Sequence, residues 1–441
     1  MQKLPNEEEN KVKFQMDKII QSLFTYSLDN GITNVVGTFP NFIGFKGKDE
    51  KSKIIFKKKI ISNCSSSNVN KIKKEKYQIF NTLYTKDNKD KLLYNFGKLI
   101  FLSYKKNFPE IINVKGKKYT SDSGWGCMIR CGQMIMARGL YKYFKKIGFS
   151  SKYSLIHSVE FFMDNPFTFD KMPDNFINMM NYFLSIWYKE NKDNISLKTV
   201  YAPFSIKSLC TVGRIINKDV GVWFSDFNMV HMFSLINDNY HLFKNLKIFN
   251  FQSQINFKQV LNECFSKENS LFQEDDFIEI KNEKYYFKKI GIIYVSIRLG
   301  INSISKEYYK SLKELFLCKN CLGLIGGRER LAYYFIGYDD NGDFLYLDPH
   351  TTNNSPKKLD ENVLLKDYLN KNIHSISLKK LTTCFTVGFY FRSVEEYKNL
   401  INFVNEYKKQ EFPCFSILYN DLEFKNIDKY NENVIDDVDD F

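Results

Sequence analysis

The sequence predicts an α+β protein in which helices come first and a sheet follows. Two features lead to this prediction. A long segment at 127–144 is apolar on nearly every helical face, and strand-like runs follow at 291–300, 331–338, 343–350 and 383–391. The chain has 441 residues, of which 44% are hydrophobic, so it holds enough apolar material to bury such a helix against a sheet.

The first 90 residues differ in composition from the rest. Short apolar pieces alternate there with stretches rich in lysine, asparagine and serine, and lysine-rich runs lie at 46–60 and 71–76. This composition is typical of a partly ordered arm or a surface insertion. We therefore predict an arm over 1–90, a folded domain over 91–418 and an acidic, mobile tail over 419–441.

The helices of the folded domain are predicted from spacing and caps. Apolar residues at helical spacing indicate a helix over 92–104, ended by the Asn-Phe-Pro at 107–109. Asp122 and Ser123 then offer cap-type side chains ahead of the central helix at 127–144.

The remaining elements follow from alternation and turn residues. Further helices with short strands between them are expected over 153–240, with a strand at 221–227, and the polar segment 266–289 is interpreted as a loop or insertion. The runs 331–338 and 343–350 are separated by Asp-Asp-Asn-Gly. Because Asn-Gly readily takes the positive φ angles of a tight turn, these two runs are predicted to pair as a hairpin.

Composition also narrows the function classes. The formal net charge is +14, but no zinc-finger spacing, RNA motif or basic zipper accompanies it, so we expect no nucleic-acid partner. The nine cysteines are scattered, which is typical of reduced thiols and not of a secreted disulfide framework. The chain opens with charged residues and contains no apolar run long enough to span a bilayer, so a cytoplasmic protein is expected.

Cys127 is the first candidate for chemistry. It follows Gly124, Trp125 and Gly126, which let the backbone turn sharply beside a large aromatic ring, and it lies in the first turn of the predicted central helix. A helix N-terminus favours the reactive thiolate, and its unpaired N–H groups can hold an oxyanion. A cysteine at a helix start is more often a small core residue, so the surrounding motif is what favours catalysis.

A thiol nucleophile needs a base, and His350 is the best candidate among five histidines. Asp348 precedes it by two residues at a predicted strand end, so both side chains point to one face, and Pro349 keeps that segment extended. A carboxylate beside the ring selects one tautomer and stabilises the imidazolium. The alternative interpretation of Asp-Pro-His is a plain turn after a hairpin strand.

Longer stretches around these residues resemble the autophagins, the cysteine peptidases of autophagy. YTSDSGWGCMIRCGQMIMARGL at 119–140 resembles the family's nucleophile motif, and YLDPHTT at 346–352 resembles its His/Asp segment. GLIGG at 323–327, YFIGY at 334–338 and SYKKNFPEI at 103–111 agree in order and spacing. The resemblance implies a papain-like cysteine peptidase fold, with a buried nucleophile helix packed on an antiparallel sheet and with family-type insertions.

The resemblance also implies an activity. A cysteine endopeptidase of this family cleaves the precursor of a ubiquitin-like modifier of the GABARAP type after a C-terminal glycine, and releases the modifier from phosphatidylethanolamine. By matching positions, Cys127 would be the nucleophile, His350 the base and then the acid, and Asp348 the orienter. Tyr104 would help the backbone N–H of Cys127 to hold the oxyanion. We expect a monomer with no cofactor and no metal, in transient contact with a membrane surface.

Substrate-binding residues are implied in the same way. Trp125 and Gly126 would border a narrow slot that accepts glycine and rejects side chains. Four residues match the family's gating loop: Gly326, Gly327, Arg328 and Glu329. The chain departs from the family here, because Arg328 and Glu329 stand where Lys and Pro are usual, and Val200 stands where a tryptophan is usual.

Two secondary motifs are weaker. Cys318 and Cys321 form a C-x-x-C, but no second pair completes a zinc set, so we interpret them as surface or core cysteines. Phe424 and Ile427 follow acidic residues and resemble a motif by which partners add a strand to the modifier's sheet.

Two other function classes stay open on the sequence. One is a protein of the same fold that binds the modifier without turnover, which the altered gating loop favours. The other is a different papain-like activity, such as deubiquitination or transglutamination, which the Gly-Trp-Gly-Cys and Asp-Pro-His motifs disfavour.

Overall fold

The computed structural model of the protein describes residues 50–68, 75–146, 148–165, 201–240, 243, 245–267, 277–280, 282–370, 372 and 374–418. In this part of the chain the helices are α1 (Glu50–Asn68), α2 (Lys89–Gly97), α3 (Cys127–Lys146), α4 (Ser151–Glu160), α5 (Ile206–Gly213), α6 (Asp226–Tyr240), α7 (Phe257–Cys264), α8 (Tyr308–Glu314), α9 (Glu361–Val363) and α10 (Val394–Tyr407).

The strands of the same residues are β1 (Lys76–Ile79), β2 (Thr82–Thr85), β3 (Tyr104–Ile112), β4 (Lys118–Ser121), β5 (Leu246–Gln252), β6 (Gln254–Asn256), β7 (Phe265–Ser266), β8 (Phe277–Ile280), β9 (Glu283–Phe287), β10 (Ile290–Arg298), β11 (Cys321–Arg328), β12 (Leu331–Asp339), β13 (Phe344–Leu347), β14 (Thr352–Asn354), β15 (His374–Ile376), β16 (Cys384–Phe391) and β17 (Ser416–Leu418). The mixed helix and sheet content confirms the predicted α+β class.

A central sheet organises the molecule, in the order β15-β13-β12-β11-β16-β10-β5, with β1 joined to β12 and β2 to β1. Its strands pair antiparallel except β10 and β5, which run parallel. Along β10, Ile292 and Tyr294 belong to one hydrophobic core, whereas Ile293 and Val295 belong to a second. A strand buried on both faces carries a continuous apolar run, which explains the sequence of β10.

Helices cover both faces of this sheet. Residues of α3 such as Met134 and Ile135 belong to the first core, and residues of α10 such as Tyr397 and Leu400 belong to the second. Helix α3 contacts β11 and β12, and 16 of its 20 residues are buried. The prediction of a buried central helix packed on a mainly antiparallel sheet is therefore confirmed.

The four strand predictions of the second half are confirmed as β10, β12, β13 and β16. The predicted hairpin also forms, since Tyr338 pairs with Phe344 across the turn, and Gly342 takes φ +79°. Strands β5 and β11 were not predicted from the sequence.

The predicted helix at 92–104 is wrong in its second half. Helix α2 ends at Gly97, and the Asn-Phe-Pro at 107–109 lies inside β3. Strand β3 pairs with β4 at Lys106 and again from Ile111, so Pro109 falls in an irregular stretch between these pairs, where a missing N–H costs no ladder bond. Asn107 bends the strand there with φ +62°.

The predicted strand at 221–227 is also wrong. Gly221 lies in a turn with φ +83°, and helix α6 already begins at Asp226. In the apolar run of this segment only Phe224 is buried, whereas Val222 and Trp223 are 42% and 39% exposed. The run is therefore a loop ahead of α6 with one buried ring, and not a strand paired in a sheet.

Helices or strands are present in the described parts of two regions that the sequence predicted as an arm, over 1–90, and as a loop or insertion, over 266–289. Phe56, Ile60 and Cys64 of α1 are buried at four-residue spacing, while most lysines of that helix are exposed. Strands β1 and β2 join the central sheet, although they lie within the predicted arm over 1–90. Within 266–289, β8 and β9 form a hairpin on β7. The division at residues 90 and 418 stays a prediction.

None of the described helices is both long and apolar enough to cross a membrane.

Candidate active site

Cys127 is the first residue of α3, and its side chain is fully buried. The preceding turn needs glycine at two positions. Gly124 has φ +85°, and a Cβ atom on Gly126 would lie 2.7 Å from both Cβ and Oδ2 of Asp122. The Asp122 carbonyl accepts hydrogen bonds from the backbone N–H groups of Trp125, at 3.2 Å, and Gly126, at 2.8 Å. This tight turn sets the thiol at the N-terminus of α3, where backbone N–H groups without a helical acceptor can bind an oxyanion.

His350 and Asp348 follow the end of β13, with Pro349 between them. Nδ1 of His350 lies 2.5 Å from Oδ1 of Asp348, and the same oxygen accepts the backbone N–H of His350 at 3.1 Å. Because one carboxylate oxygen holds both the ring and the backbone of His350, the imidazole has little freedom to rotate. The extended segment thus brings the two side chains together as the sequence predicts.

Strand β3 joins the thiol and the imidazole. The backbone N–H of Tyr104 donates to the carbonyl of Pro349 at 2.9 Å, and β14 pairs in parallel with β3 from Thr352 and Tyr104 onward. The Tyr104 ring meets the His350 ring edge to face, with centroids 5.5 Å apart. Cys127 lies near both side chains, and its proximity contributes to raising the pKa of the Tyr104 hydroxyl and of the His350 imidazole. Residues more than 200 positions apart in the chain therefore share one site.

The charge state of His350 follows from its neighbours. Burial alone lowers its pKa, but the hydrogen bond to Asp348 and the proximity of Cys127 outweigh burial and raise the pKa to about 9. For Asp348, burial raises the pKa, but the hydrogen bonds from His350 outweigh it and hold the pKa below its ordinary value. The pair is therefore an imidazolium beside a carboxylate at neutral pH.

Tyr104 is buried, and burial together with its contact to Cys127 raises the pKa of its hydroxyl well above the ordinary value. The group therefore stays a neutral O–H donor next to the sulfur. A donor in that place can bind an oxygen that gains negative charge when the sulfur attacks a carbonyl.

Trp125 lies against the same loop. Its indole N–H donates to the carbonyl of Ser121 at 3.0 Å, and its ring meets Tyr119 edge to face at 5.8 Å. These contacts fix the ring two residues before Cys127. Val200, which stands where the family usually has a tryptophan, lies outside the described residues.

The predicted gating loop is partly a strand. Gly326, Gly327 and Arg328 belong to β11, and Glu329 lies in the turn that leads to β12. Arg328 lies close enough to the hydroxyl of Tyr333 to lower its pKa, and the Tyr333 ring lies 5.8 Å from the His350 ring, edge to face. The turn is thus connected to the imidazole through one aromatic side chain. Gating itself stays a prediction.

A group of buried charged residues behind the nucleophile was not predicted from the sequence. Asp122, which looked like a helix cap, is fully buried, and its Oδ2 accepts a hydrogen bond from Nε of Arg130 at 2.7 Å. Nη2 of Arg130 donates to Asp164 at 2.7 Å, and Nη1 donates to Gln133 at 3.0 Å. The sequence feature that could have revealed this group is Arg130, which lies in a largely apolar helix and therefore requires charged partners once it is buried.

The remaining candidates are not part of the site as described. Cys318 and Cys321 are both buried, and burial raises the pKa of each thiol, which is typical of core cysteines. Among the described residues, no group of three or more potential metal ligands is clustered. Phe424 and Ile427 lie outside the described residues.

Comparisons with known proteins agree with this geometry. The Peptidase C54 catalytic domain matches residues 89–403. The chain is 24% identical over 371 residues to the cysteine protease ATG4C of Xenopus laevis, covering 78% of each chain. It is 23% identical over 372 residues to the cysteine protease atg4da of Danio rerio, covering 75% of this chain and 72% of the relative.

A third relative, the cysteine protease ATG4B of Gallus gallus, is 24% identical over 340 residues, covering 74% of this chain and 77% of the relative. The matched domain includes the central helix, the hairpin and both halves of the site. The chain belongs to the peptidase C54 family, the autophagin cysteine peptidases.

Proposed function

We propose that this cysteine peptidase cleaves the precursor of a ubiquitin-like autophagy modifier after a C-terminal glycine, and that it also releases the lipid-linked modifier from phosphatidylethanolamine. The observation that supports this most directly is the triad geometry. A buried thiol at a helix N-terminus interacts with an imidazole whose pKa is raised to about 9 and which Asp348 holds at 2.5 Å. Family membership supplies the substrate class.

The reaction proceeds in two halves. The Cys127 thiolate attacks the glycine carbonyl carbon, forming a C–S bond, and the carbonyl oxygen becomes an oxyanion held by the Cys127 N–H and the Tyr104 hydroxyl. His350 donates its proton to the leaving amine as the C–N bond breaks. The neutral imidazole then takes a proton from water, whose oxygen attacks the thioester, and the thiolate leaves. Asp348 keeps the ring oriented throughout.

The same scheme serves both substrates because each leaving group is an amine. In the precursor, the amine belongs to the peptide that follows the glycine. In the conjugate, it is the ethanolamine nitrogen of the lipid, so the enzyme would touch a membrane surface transiently. We further propose a monomeric protein acting in the cytoplasm, with no cofactor and no nucleic-acid partner.

Substrate selection is assigned to the residues around the thiol. Trp125 and Gly126 would border the slot for glycine, since the indole is fixed to Ser121 in the turn just before Cys127. Gly326, Gly327, Arg328 and Glu329 would form the gate. Phe424 and Ile427 would bind the modifier by adding a strand to its sheet.

The second candidate is a protein that captures the modifier without turnover. The feature that favours it is the gate, where Arg328 and Glu329 replace the family's usual residues. The assembled Cys127, His350 and Asp348 favour turnover, because a pure binder has no need of a polarised imidazole beside a thiol.

One experiment separates the two candidates. Purified protein is incubated with a GABARAP-type modifier carrying extra residues after its glycine, and in parallel with vesicles bearing the lipid-linked modifier. We expect the shortened modifier in the first reaction and its release from vesicles in the second. Cys127→Ala should do neither while still binding the modifier. Binding without cleavage by the unaltered protein would establish the capture function instead.

A further inference from the structure

The Asp122 carboxylate contacts both halves of the nucleophile machinery. Its Oδ1 accepts the backbone N–H of Lys105 at 2.6 Å, and its Oδ2 accepts Nε of Arg130 at 2.7 Å. Lys105 follows Tyr104, the predicted oxyanion donor, and Arg130 lies one helical turn after Cys127. One fully buried side chain therefore ties the tyrosine strand to the nucleophile helix.

The Tyr104–Lys105 segment is bound from two directions. The Tyr104 N–H donates to the carbonyl of Pro349, between Asp348 and His350, at 2.9 Å. The Lys105 carbonyl accepts the backbone N–H of Asp122 at 3.2 Å and the Ser121 hydroxyl at 3.1 Å. Because one peptide is bonded to the base segment and the next to the nucleophile loop, this strand sets how far apart the two halves lie.

Side chains alternate across this strand, which anchors it on both faces. Tyr104 contacts Cys127 and His350, whereas the Lys105 side chain is fully buried, with Nζ 4.5 Å from the centre of the Tyr368 ring. The strand cannot slide without breaking contacts on one face or the other, so the position of the Tyr104 hydroxyl depends on the bond to Asp122.

Arg130 holds Asp122 in turn. It is fully buried and spans two carboxylates, Asp122 and Asp164, each at 2.7 Å. The other oxygen of Asp164 accepts the backbone N–H of Ile206 at 2.9 Å, so Asp164 connects Arg130 to α5 and not to strand β3. The two acids share one arginine, but only Asp122 is bonded to the strand that carries Tyr104.

We propose that Asp122 is a positioning residue for acyl transfer, which holds Tyr104 in its place beside Cys127 and His350 through the Lys105 peptide and is itself fixed by Arg130. This inference rests on the proposed function for its reaction. It assigns Asp122 a role beyond capping the helix, since the oxyanion donor is correctly placed only while this carboxylate bridges the strand and the helix.

Asp164 provides a matched control. Asp122→Asn and Asp164→Asn each remove one carboxylate from Arg130, so both should lower Tm by a similar amount. Asp122 serves the Lys105 N–H and Arg130 Nε with separate oxygens, and an amide has only one acceptor oxygen, so Asp122→Asn must lose one of these two bonds. Only this variant loosens the link between the Lys105 peptide and the nucleophile helix, and we expect it to lower kcat about 10- to 100-fold with little change in KM, because an oxyanion donor contributes that order of rate. Asp164→Asn should keep kcat within about threefold of the unaltered enzyme. Equal losses of kcat in both variants would mean a merely structural role and would overturn the proposal.

Two probes test the same point independently of the natural substrate. Acetyl-glycinal adds to a thiol as a hemithioacetal, whose oxygen occupies the oxyanion position, whereas iodoacetamide alkylates the thiol without forming an oxyanion. We expect Asp122→Asn to weaken binding of the aldehyde at least about tenfold and to leave the alkylation rate within about twofold. Unchanged aldehyde binding would contradict the inference, even if the modifier turned out not to be the substrate. If the unaltered enzyme did not cleave the modifier but Asp122→Asn still weakened aldehyde binding as expected, only the proposed function would be contradicted.

A double-mutant cycle completes the test. If Asp122 acts through Tyr104, Asp122→Asn should weaken aldehyde binding much less in a Tyr104→Phe background than in the unaltered enzyme. Additive losses would refute action through the tyrosine. Should Asp122→Asn not fold, Ser121→Ala removes a milder bond to the same Lys105 carbonyl and should weaken aldehyde binding about two- to fivefold, whereas no effect of it would count against the proposal.

Discussion

The nucleophile half and the base half of the site are held in different ways. In the nucleophile half, Cys127, Asp122 and Arg130 are all fully buried, and the Asp122 carboxylate contacts the Arg130 guanidinium directly at 2.7 Å. In the base half, the side chains of His350 and Asp348 are 18% and 31% exposed. The comparison indicates a division of roles, in which a fully buried interior places the sulfur and a partly exposed segment after β13 carries the imidazole and its carboxylate.

The strongest test of this comparison removes one reacting group from each half. Cys127→Ala and His350→Ala should each lower kcat by about 10⁴-fold or more, because neither half can transfer an acyl group alone. The double variant should be no slower than either single variant. Rates of modifier cleavage, with Tm as a check on folding, would show this. Additive losses would mean that the halves work independently.

The next largest effect concerns the orienter of the base half. Asp348→Asn should lower kcat by about 10²- to 10⁴-fold, since the imidazole remains but its tautomer is no longer enforced. Because this half is partly exposed, we expect a small change in Tm. Activity equal to that of the unaltered enzyme would remove Asp348 from the triad.

The pH profile tests the electrostatics of the same half. The pKa of His350 is raised to about 9, so kcat/KM should fall as the pH rises through 9 and the imidazolium is lost. Its proton stabilises the fold below the ordinary pKa of 6.5, and that stabilisation should disappear as the pH rises through about 9. In Asp348→Asn the alkaline limb should move toward lower pH. A limb that stayed at the same pH would mean that another group titrates there.

A smaller effect is expected from the tight turn of the nucleophile half. In Gly126→Ala the new Cβ would lie 2.7 Å from Asp122, so we expect a destabilisation of about 1–3 kcal/mol and a lower kcat. Gly124→Ala is the control, since its φ of +85° strains any side chain but the space around it is open. It should lower the free energy of unfolding and largely keep kcat. The reverse ranking of the two rates would argue that Asp122 is not critical to the turn.

The smallest effect should come from an exposed ion pair near the site. Lys118 lies 2.9 Å from Glu110, and the two side chains are 66% and 39% exposed. Lys118→Ala should change the free energy of unfolding by less than about 0.5 kcal/mol and leave kcat unchanged. Urea unfolding would measure it. A large loss would show that exposed charges also hold this half together.

The sequence predicted some elements well and others poorly, for identifiable reasons. Helix α3 and strands β10, β12, β13 and β16 were predicted because their apolar runs are long and their turns use the expected residues. The false strand at 221–227 arose because three consecutive apolar residues look like a strand, although Val222 and Trp223 are exposed in a loop. The end of α2 was misplaced because β3 accommodates Pro109 in an irregular stretch, which only the pairing with β4 makes visible.

The candidate site shows the same division. Cys127, His350 and Asp348 were chosen from local chemistry, and the structure brings them together. Asp122 and Arg130 were not predicted as site residues, because a carboxylate before a helix resembles a helix cap until its buried partners are known. Tyr333 was not predicted as a site residue, and its contact with His350 depends on the neighbouring strands.

By itself, the sequence determined the chemistry of the reacting groups and the class of the fold, because side-chain type and hydrophobic spacing act over a few residues. Only the tertiary structure decided which distant groups meet, as in the bonds from Tyr104 to Pro349 and from Lys105 to Asp122. The physical reason is that a buried charge or an unpaired peptide is stabilised by whichever partner packing brings within about 3 Å. That partner is set by the arrangement of the sheet and helices and not by proximity along the chain.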